Sequence, residues 1–199
     1  MRRLALFFLL SISFEAPAAS AQNVEARKNG IITNYVTKGS LEATRNIGCI
    51  KIAKAKSDFT PPDLLKGMIA CVRRNDYETA GYLYYLARIY AAFDSLRVSD
   101  VSARQAGTVL LIQTYEELQE DQKTRLSEML DKIMGTPELE KRLCGDLQKV
   151  GMPTYHPKYM ILHGMGAFFG ASAEGGLVED FDGASNWKQL LGSLKDCPG

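Results

Sequence analysis

NDYETAGYLYYLARIYAAFDSLR, residues 75–97, is the longest uninterrupted helical pattern in this sequence. Asn75 or Asp76 can cap its first turn, because a short polar side chain there accepts a hydrogen bond from an otherwise unpaired backbone N–H group. A helix with two adjacent apolar stripes is covered by neighbours on more than one side, so this pattern predicts a central helix. The two stripes consist of Leu83, Leu86, Ala87 and Tyr90, and of Ala80, Tyr84, Ala87 and Ala91.

The first 21 residues have the layout of a cleaved secretory signal. Arg2 and Arg3 precede a short apolar run, and Ala19 and Ala21 occupy the small-residue positions before the expected cleavage site. A retained membrane anchor is disfavoured, because the apolar run is far shorter than the ~20 residues that cross a bilayer. We therefore predict a mature chain that starts near Gln22, is periplasmic or secreted, and is not inserted in a membrane.

Charge and length limit the classes of partner and the number of domains. Residues 1–21 hold two basic residues and one acidic residue, so the 24 basic and 23 acidic residues of the whole chain become 22 and 22 in the mature chain. This balance argues against a nucleic-acid partner, which calls for a clustered basic face. The remaining length favours one α-helical domain over residues 40–199, and the order of the N-terminal tail, residues 22–39, is left open.

Four cysteines remain in the mature chain, and an even number in an exported protein favours two disulfides. Their wide spacing matches neither a zinc site nor a thioredoxin-like motif, and a catalytic cysteine is disfavoured. Three pairings are possible. We favour Cys49–Cys71, on two consecutive predicted helices, and Cys144–Cys197, which would hold the C-terminal tail.

The rest of the sequence predicts an all-α bundle of about six to seven helices, packed as antiparallel helix pairs. Thr60-Pro61-Pro62-Asp63 is a well-formed helix start, and Asp182 can cap a last helix that carries Trp187. No pair of alternating runs flanks a tight turn, so no β-hairpin is predicted. The remaining helices are predicted over residues 40–56, 101–119, 120–134 and 138–150, the helix over 101–119 with an apolar face that includes Val101 and Ile112.

The segment from Asn75 to Ala87 resembles the second helix of a tetratricopeptide repeat. The polar turn with Tyr77 and Glu78, followed by Ala80, Tyr84 and Ala87, is similar to the pattern of that family. The family's first half-motif is not matched in the preceding helix, and no second copy follows. The resemblance implies helix-pair packing and no particular partner.

The candidate binding residues lie near the C terminus, where the sequence changes to an irregular aromatic stretch and then a glycine-rich one. We predict a binding surface there, because this is the part that combines aromatics, histidines and flexible backbone outside a regular helix. The competing interpretation is that the tyrosines close the end of the helical core. The candidate residues are Tyr155, His156, Tyr159 and His163, followed by the glycine-rich segment.

Two functional hypotheses follow. The first is a periplasmic protein-binding module, such as an inhibitor or an immunity protein against a toxic enzyme, with no cofactor. The alternative is a small hydrolase or metal-dependent enzyme that uses His156 and His163 with the nearby carboxylates of Glu179, Asp180 and Asp182. The glycine spacing does not match a phosphate-binding loop, and no standard zinc or nucleophile motif is present.

Overall fold

The computed structural model describes residues 24–29, 32–170, 174–194 and 197, so the predicted signal peptide lies outside the described residues. The described part of the chain is predominantly helical, in agreement with the predicted all-α bundle, and it carries one two-stranded sheet. Short 3₁₀ helices cover Ile52–Lys54 and Val101–Gln105. The strands are β1 (Val24–Asn29) and β2 (Ile32–Thr37), and the α-helices are α1 (Pro61–Val72), α2 (Tyr77–Arg97), α3 (Ala106–Glu116), α4 (Glu120–Gly135), α5 (Pro137–Val150), α6 (Lys158–Ile161), α7 (Met165–Phe168) and α8 (Gly183–Gly192).

Helix α2 is the centre of the bundle, as its two apolar stripes predict. Asp76 caps it, with its side chain accepting a hydrogen bond from the backbone N–H of Thr79. Helices α1, α3, α4 and α8 pack against α2, and α1 makes the most extensive contact. The side chains of α2 that are almost completely buried include Ala80, Tyr82, Leu83, Leu86, Ala87, Tyr90 and Phe93.

Helix α1 begins at the predicted capping box. The hydroxyl of Thr60 accepts from the Asp63 backbone N–H at 3.4 Å, and the Asp63 carboxylate accepts from the Thr60 backbone N–H at 3.0 Å. Asp63 is fully buried and also accepts from the backbone N–H groups of Thr44 and Arg45, at 2.7 and 2.8 Å. One carboxylate thus starts α1 and holds the preceding segment against it.

The prediction of a helix over residues 40–56 is wrong. This segment is irregular apart from the 3₁₀ turn Ile52–Lys54, and both Leu41 and Gly48 have positive φ angles, 58° and 62°. Left-handed backbone at two positions is incompatible with a continuous right-handed helix. Hydrogen bonds from the backbone of this segment to Asp63 replace some of the backbone hydrogen bonds that a helix would have formed.

Both predicted disulfides are confirmed. Cys49 is bonded to Cys71 with a Cα–Cα distance of 4.7 Å, and Cys144 is bonded to Cys197 with a Cα–Cα distance of 5.5 Å. The reasoning for the first pair is corrected, because Cys49 lies in the irregular segment and not on a helix. This disulfide ties that segment to α1, and the second ties the C-terminal end to α5.

The prediction of no hairpin is also wrong. Strands β1 and β2 pair antiparallel, with Val24 opposite Thr37 and Asn29 opposite Ile32. The strands are short and largely polar, so they lack the alternation of apolar and polar residues that identifies a strand with one buried face. The base of the hairpin is fixed to the bundle, since the backbone N–H of Leu41 donates to the carbonyl of Tyr159 at 3.2 Å.

The predicted apolar face of residues 101–119 is only partly buried. Ala106 and Leu110 belong to the core, but Val101 and Ile112 are 71% and 55% exposed. A 3₁₀ helix precedes α3, so Val101 does not continue the face of α3. Asp182 caps α8 as predicted, and α8 buries Trp187 against α2.

Candidate functional site

A buried carboxylate lies near the C-terminal end of α2. Asp94 is fully buried, and Arg97, three residues later, lies within hydrogen-bond distance of it. The Arg97 Nη2 and Nε atoms donate to Asp94 Oδ1 at 2.6 and 2.9 Å. The Arg97 side chain is only 11% exposed, so both charges of this pair are withdrawn from water.

The second oxygen of Asp94 binds two of the predicted site residues. The hydroxyl groups of Tyr155 and Tyr159 donate to Asp94 Oδ2 at 2.8 and 2.9 Å. Arg97 Nη2 also donates to the backbone carbonyl of Tyr155 at 2.9 Å. The segment after α5 is therefore attached to the central helix through one carboxylate and its arginine.

Burial decides the protonation behaviour of this cluster. It raises the pKa of Asp94 to about 6, although Arg97 and the two tyrosine hydroxyls lower it. Burial, followed by the charge of Asp94, raises the pKa of Tyr155 and Tyr159 well above their ordinary value. Both carboxylate oxygens are occupied by donors of the protein itself, so Asp94 anchors structure and is not available to a substrate.

Aromatic rings surround the cluster. The Arg97 guanidinium lies 5.2 Å from the ring centroids of both Phe93 and Tyr155. The Tyr90 hydroxyl donates to the carbonyl of Gly151 at 2.8 Å, which fixes the end of α5. The two tyrosines of the predicted binding surface thus point to the core, as the interpretation that they close its end predicts.

The two histidines have different surroundings. His156 is exposed and lines a cavity of about 290 Å³ together with Tyr159 and Lys158. The side chain is nevertheless partly shielded from water, and this partial burial, followed by the charge of Arg97, lowers the pKa of His156 from its ordinary value. His163 is half-buried, and its Nδ1 atom lies 3.3 Å from the hydroxyl of Ser40, so it links α6 to the base of the hairpin.

The carboxylates of the enzyme hypothesis are not assembled with the histidines. Asp182 accepts from the Ser185 backbone N–H at the start of α8, and Glu179 and Asp180 are exposed. Among the described residues, no hydrogen bond or ion pair joins a histidine to one of these three carboxylates. Nor does that part of the chain contain a group of three or more histidine, cysteine or carboxylate side chains placed to hold a metal.

The glycine-rich segment exposes large apolar side chains. Phe169 is 80% and Met165 54% exposed, at the two ends of α7. The start of α7 is held by backbone N–H groups of Met165 and Gly166, which donate to Ser102 Oγ at 2.8 Å and Asp100 Oδ2 at 2.9 Å. Val101, which lies between those two acceptors, is itself 71% exposed. We call Val101, Met165 and Phe169 the α7 patch.

Several of these residues are absent from the sequence-based prediction. Asp94 and Arg97 carry a detectable signal, since a charged pair three residues apart follows the apolar run of residues 89–93. Val101 carries none, because the sequence does not show that Asp100 and Ser102, on either side of it, bind the start of α7.

No protein-family model, curated protein or solved structure matches this chain. None of the described helices combines the length and the hydrophobicity needed to cross a membrane. Fold and covalent structure define an α-helical, disulfide-bonded domain with a buried polar cluster at one end of its central helix.

Proposed function

We propose that this chain is an exported protein-binding module, of the kind that inhibits an enzyme or protects against a toxic one. The α7 patch is the observation that supports this proposal. Single exposed apolar residues are ordinary on protein surfaces, but several large ones grouped together mark interaction sites.

The α7 patch has the anatomy of a recognition surface. Met165 and Phe169 are four residues apart, so they project from neighbouring positions of a helical turn. Asp100 and Ser102 hold the start of α7 through hydrogen bonds, and these hold the backbone at Val101 beside it. Apolar side chains on a positioned backbone lose little conformational freedom when a partner covers them.

The predicted binding residues contribute unequally to this proposal. Tyr155 and Tyr159 supply the attachment to α2, and His156 supplies exposed surface beside the cavity that it lines. Lys158 forms an ion pair with Glu174 at 3.2 Å, which connects the start of α6 to the end of the glycine-rich segment. Binding would then use His156 and the α7 patch, supported by the tyrosines below.

Export is supported by the two disulfides, since such bonds persist in oxidising compartments. Intact mass measurement of the secreted protein tests this part of the proposal directly. We expect a chain that begins at Gln22 and has all four cysteines oxidised. A mature form that retains residues 1–21 would contradict export through a cleaved signal.

Binding is tested with surface variants of the tagged mature protein. We expect Phe169→Ser and Val101→Ser to melt like the wild type, because both side chains are mostly in water. Affinity capture from the native periplasm should then recover a partner with the wild type and lose it with either variant. Ile112→Ser, which removes an exposed apolar residue on α3 outside the patch, is the matched control and should retain the partner.

Two outcomes would overturn the proposal. One is capture of every wild-type partner by the Phe169→Ser variant. The other is a wild-type protein that enriches no protein over the tag alone.

A further inference from the structure

The central helix is open to solvent along one stripe. It comprises Tyr85, Arg88, Ala91, Ala92 and Ser95, each half-buried or exposed, whereas most of the remaining surface of α2 is buried. These positions recur at three- and four-residue spacing and therefore share one face of the helix. The middle and end of the stripe carry only small side chains, so a second helix can approach closely.

Two cavities flank the stripe and meet at its middle. One, of about 190 Å³, lies between α2, α1 and α3, and the other, of about 340 Å³, lies between α2, α4, α5 and α8. Arg88 and Ala92 line both. The Arg88 guanidinium lies 5.8 Å from the ring centroid of Tyr84, one turn toward the N terminus. We call the two adjoining cavities together the α2 groove.

The walls of the α2 groove are apolar and its charges are positive. Leu111 of α3 forms one wall, and the opposite wall is formed by Leu190 of α8 and by Leu194, which follows α8. Arg104 lies beside the end of α2, where its Nε and Nη2 atoms donate to the carbonyl of Val98 at 3.3 and 3.2 Å.

Within the described part of the chain, no carboxylate forms an ion pair with Arg88 or Arg104. None of the residues that line the two cavities is acidic, although the charges of Asp131 and Glu140 reach Tyr85 at the start of the stripe. The charge that would complement the groove is therefore negative.

We propose that the α2 groove binds an acidic amphipathic helix of a partner protein. Its apolar face would lie on Ala91, Ala92 and Ser95, and carboxylates at its edges would meet Arg88 and Arg104. Arginine and carboxylate form strong, charge-assisted hydrogen bonds with defined geometry. This site is separate from the α7 patch and does not depend on it.

A helix fits the groove better than an extended strand. The floor is itself a helix, whose backbone groups are used within α2, and the Ser95 hydroxyl donates to the carbonyl of Ala92 at 2.7 Å. A strand would find no backbone partners there, whereas a helix satisfies its own. Val98, which accepts the hydrogen bonds of Arg104, follows the last residue of α2 and is ten residues beyond Arg88, which corresponds to about 15 Å along the helix axis. Carboxylates about three helical turns apart on the partner helix would match that span.

The probe for this site is a fluorescein-labelled synthetic helical peptide of about 18 residues. It carries leucine and alanine on one face and two glutamates about three turns apart at the edge of that face. A matched peptide has lysine at both glutamate positions. We expect saturable binding of the glutamate peptide by fluorescence anisotropy, and at least about tenfold weaker binding of the lysine peptide.

Charge reversal in the protein locates the binding. Arg88→Glu and Arg104→Glu should each weaken binding of the glutamate peptide by about tenfold, and the double variant should prefer the lysine peptide. Ala92→Trp should abolish binding of both, because it fills the middle of the groove. Lys141→Glu, an equal charge change at an exposed position of α5, should leave the affinity unchanged.

Three results would overturn the inference. The first is no saturable binding of the glutamate peptide. The second is binding that is indifferent to Arg88→Glu and Arg104→Glu. The third is a wild-type dimer in light scattering that Ala92→Trp converts to a monomer, since the groove would then hold a second copy. Phe169→Ser should not affect peptide binding, so failure at the α7 patch and failure at the α2 groove are separable.

Discussion

Tyr159 and Asp94 lie 65 residues apart in the sequence, and their side chains meet in the core at 2.9 Å. This bond brings the segment after α5 to the end of the central helix. Tyr155 joins the same carboxylate oxygen, so one buried acidic group holds both the connection after α5 and the start of α6. His156, which lies between the two tyrosines in the sequence, takes its position from this attachment.

The free energy of unfolding should depend on pH through the ionisation of Asp94. Its folded-state pKa is raised to about 6 from 3.8, so the native state holds the proton more strongly than the unfolded chain does. Asp94 therefore contributes stability that is fully present below about pH 4 and is lost as the pH rises through about 6. The loss is on the order of 3 kcal/mol, because each tenfold change in proton affinity corresponds to about 1.4 kcal/mol.

The variant Asp94→Asn isolates this contribution. It should be less stable than the wild type, because the amide nitrogen that replaces one carboxylate oxygen cannot accept the hydrogen bonds that Arg97 or the two tyrosines donate to that oxygen. In urea titrations between pH 4 and 7, however, the difference in unfolding free energy should narrow as the pH rises. If the difference in unfolding free energy widens as the pH rises, the attraction of Arg97 affects the pKa of Asp94 more than burial does. His156 and His163 have the opposite effect, because their lowered pKa values reduce the unfolding free energy as the pH falls below 6.5. Both proteins contain these histidines, so their effect cancels when the variant is compared with the wild type at the same pH.

The two disulfides should differ in their contributions. They close loops with sequence separations of 22 and 53 residues, for which the chain-entropy relation gives about 3 and about 4 kcal/mol. We expect Cys144→Ser/Cys197→Ser to be destabilised somewhat more than Cys49→Ser/Cys71→Ser in chemical unfolding. A larger loss for the Cys49 and Cys71 pair would show that holding the irregular segment on α1 matters more than loop length.

What could be predicted from the sequence is what repeats at helical spacing or is encoded by a local cap. The first stripe of α2, the Thr60 and Asp63 capping box and the Asp182 cap all have local causes, and the structure contains each of them. The second stripe is only partly covered, because Tyr84 and Ala91 are half-buried. The same reasoning wrongly predicted a helix over residues 40–56. Backbone N–H groups of this segment donate to Asp63, which lies outside it, and not to carbonyl groups of a helix. The β-hairpin was also missed. Its strands pair through backbone hydrogen bonds, and their side chains show no alternation of apolar and polar residues that would identify them.

The candidate site was predictable in location but not in orientation. Spacing alone does not show that the hydroxyls of Tyr155 and Tyr159 point to Asp94, because the three residues are brought together by the fold. Nor does it show that Asp100 and Ser102, on either side of Val101, bind the start of α7.

Ala87 tests the core of the bundle. It is 1% exposed on the face of α2 that the sequence places inside, so Ala87→Asp would bury a carboxylate without a partner. We expect loss of about 4 kcal/mol or failure to fold, measured as soluble yield and thermal unfolding. Ala92→Asp is the matched control, since Ala92 lines the open groove and its carboxylate would remain near water and Arg88. Equal losses in the two variants would contradict the distinction between the buried and the open face of α2.

The last prediction separates anchoring from recognition within two adjacent residues. Tyr155→Ala removes a hydroxyl donor from the buried Asp94 carboxylate and a ring from beside Arg97, so we expect a loss of about 3 kcal/mol. For a chain of this length the melting temperature should fall by roughly 10 °C. His156→Ala removes an exposed side chain, and its melting temperature should stay within about 2 °C of the wild type.

Capture of a partner then reports on recognition. If His156 contributes to the binding surface, His156→Ala should lose the partner while melting normally, and Tyr155→Phe should keep it despite a smaller loss of stability. A Tyr155→Ala variant as stable as the wild type would show that the bond to Asp94 does not hold the segment. Equal destabilisation by Tyr155→Ala and His156→Ala would instead place His156 within the packed end of the core.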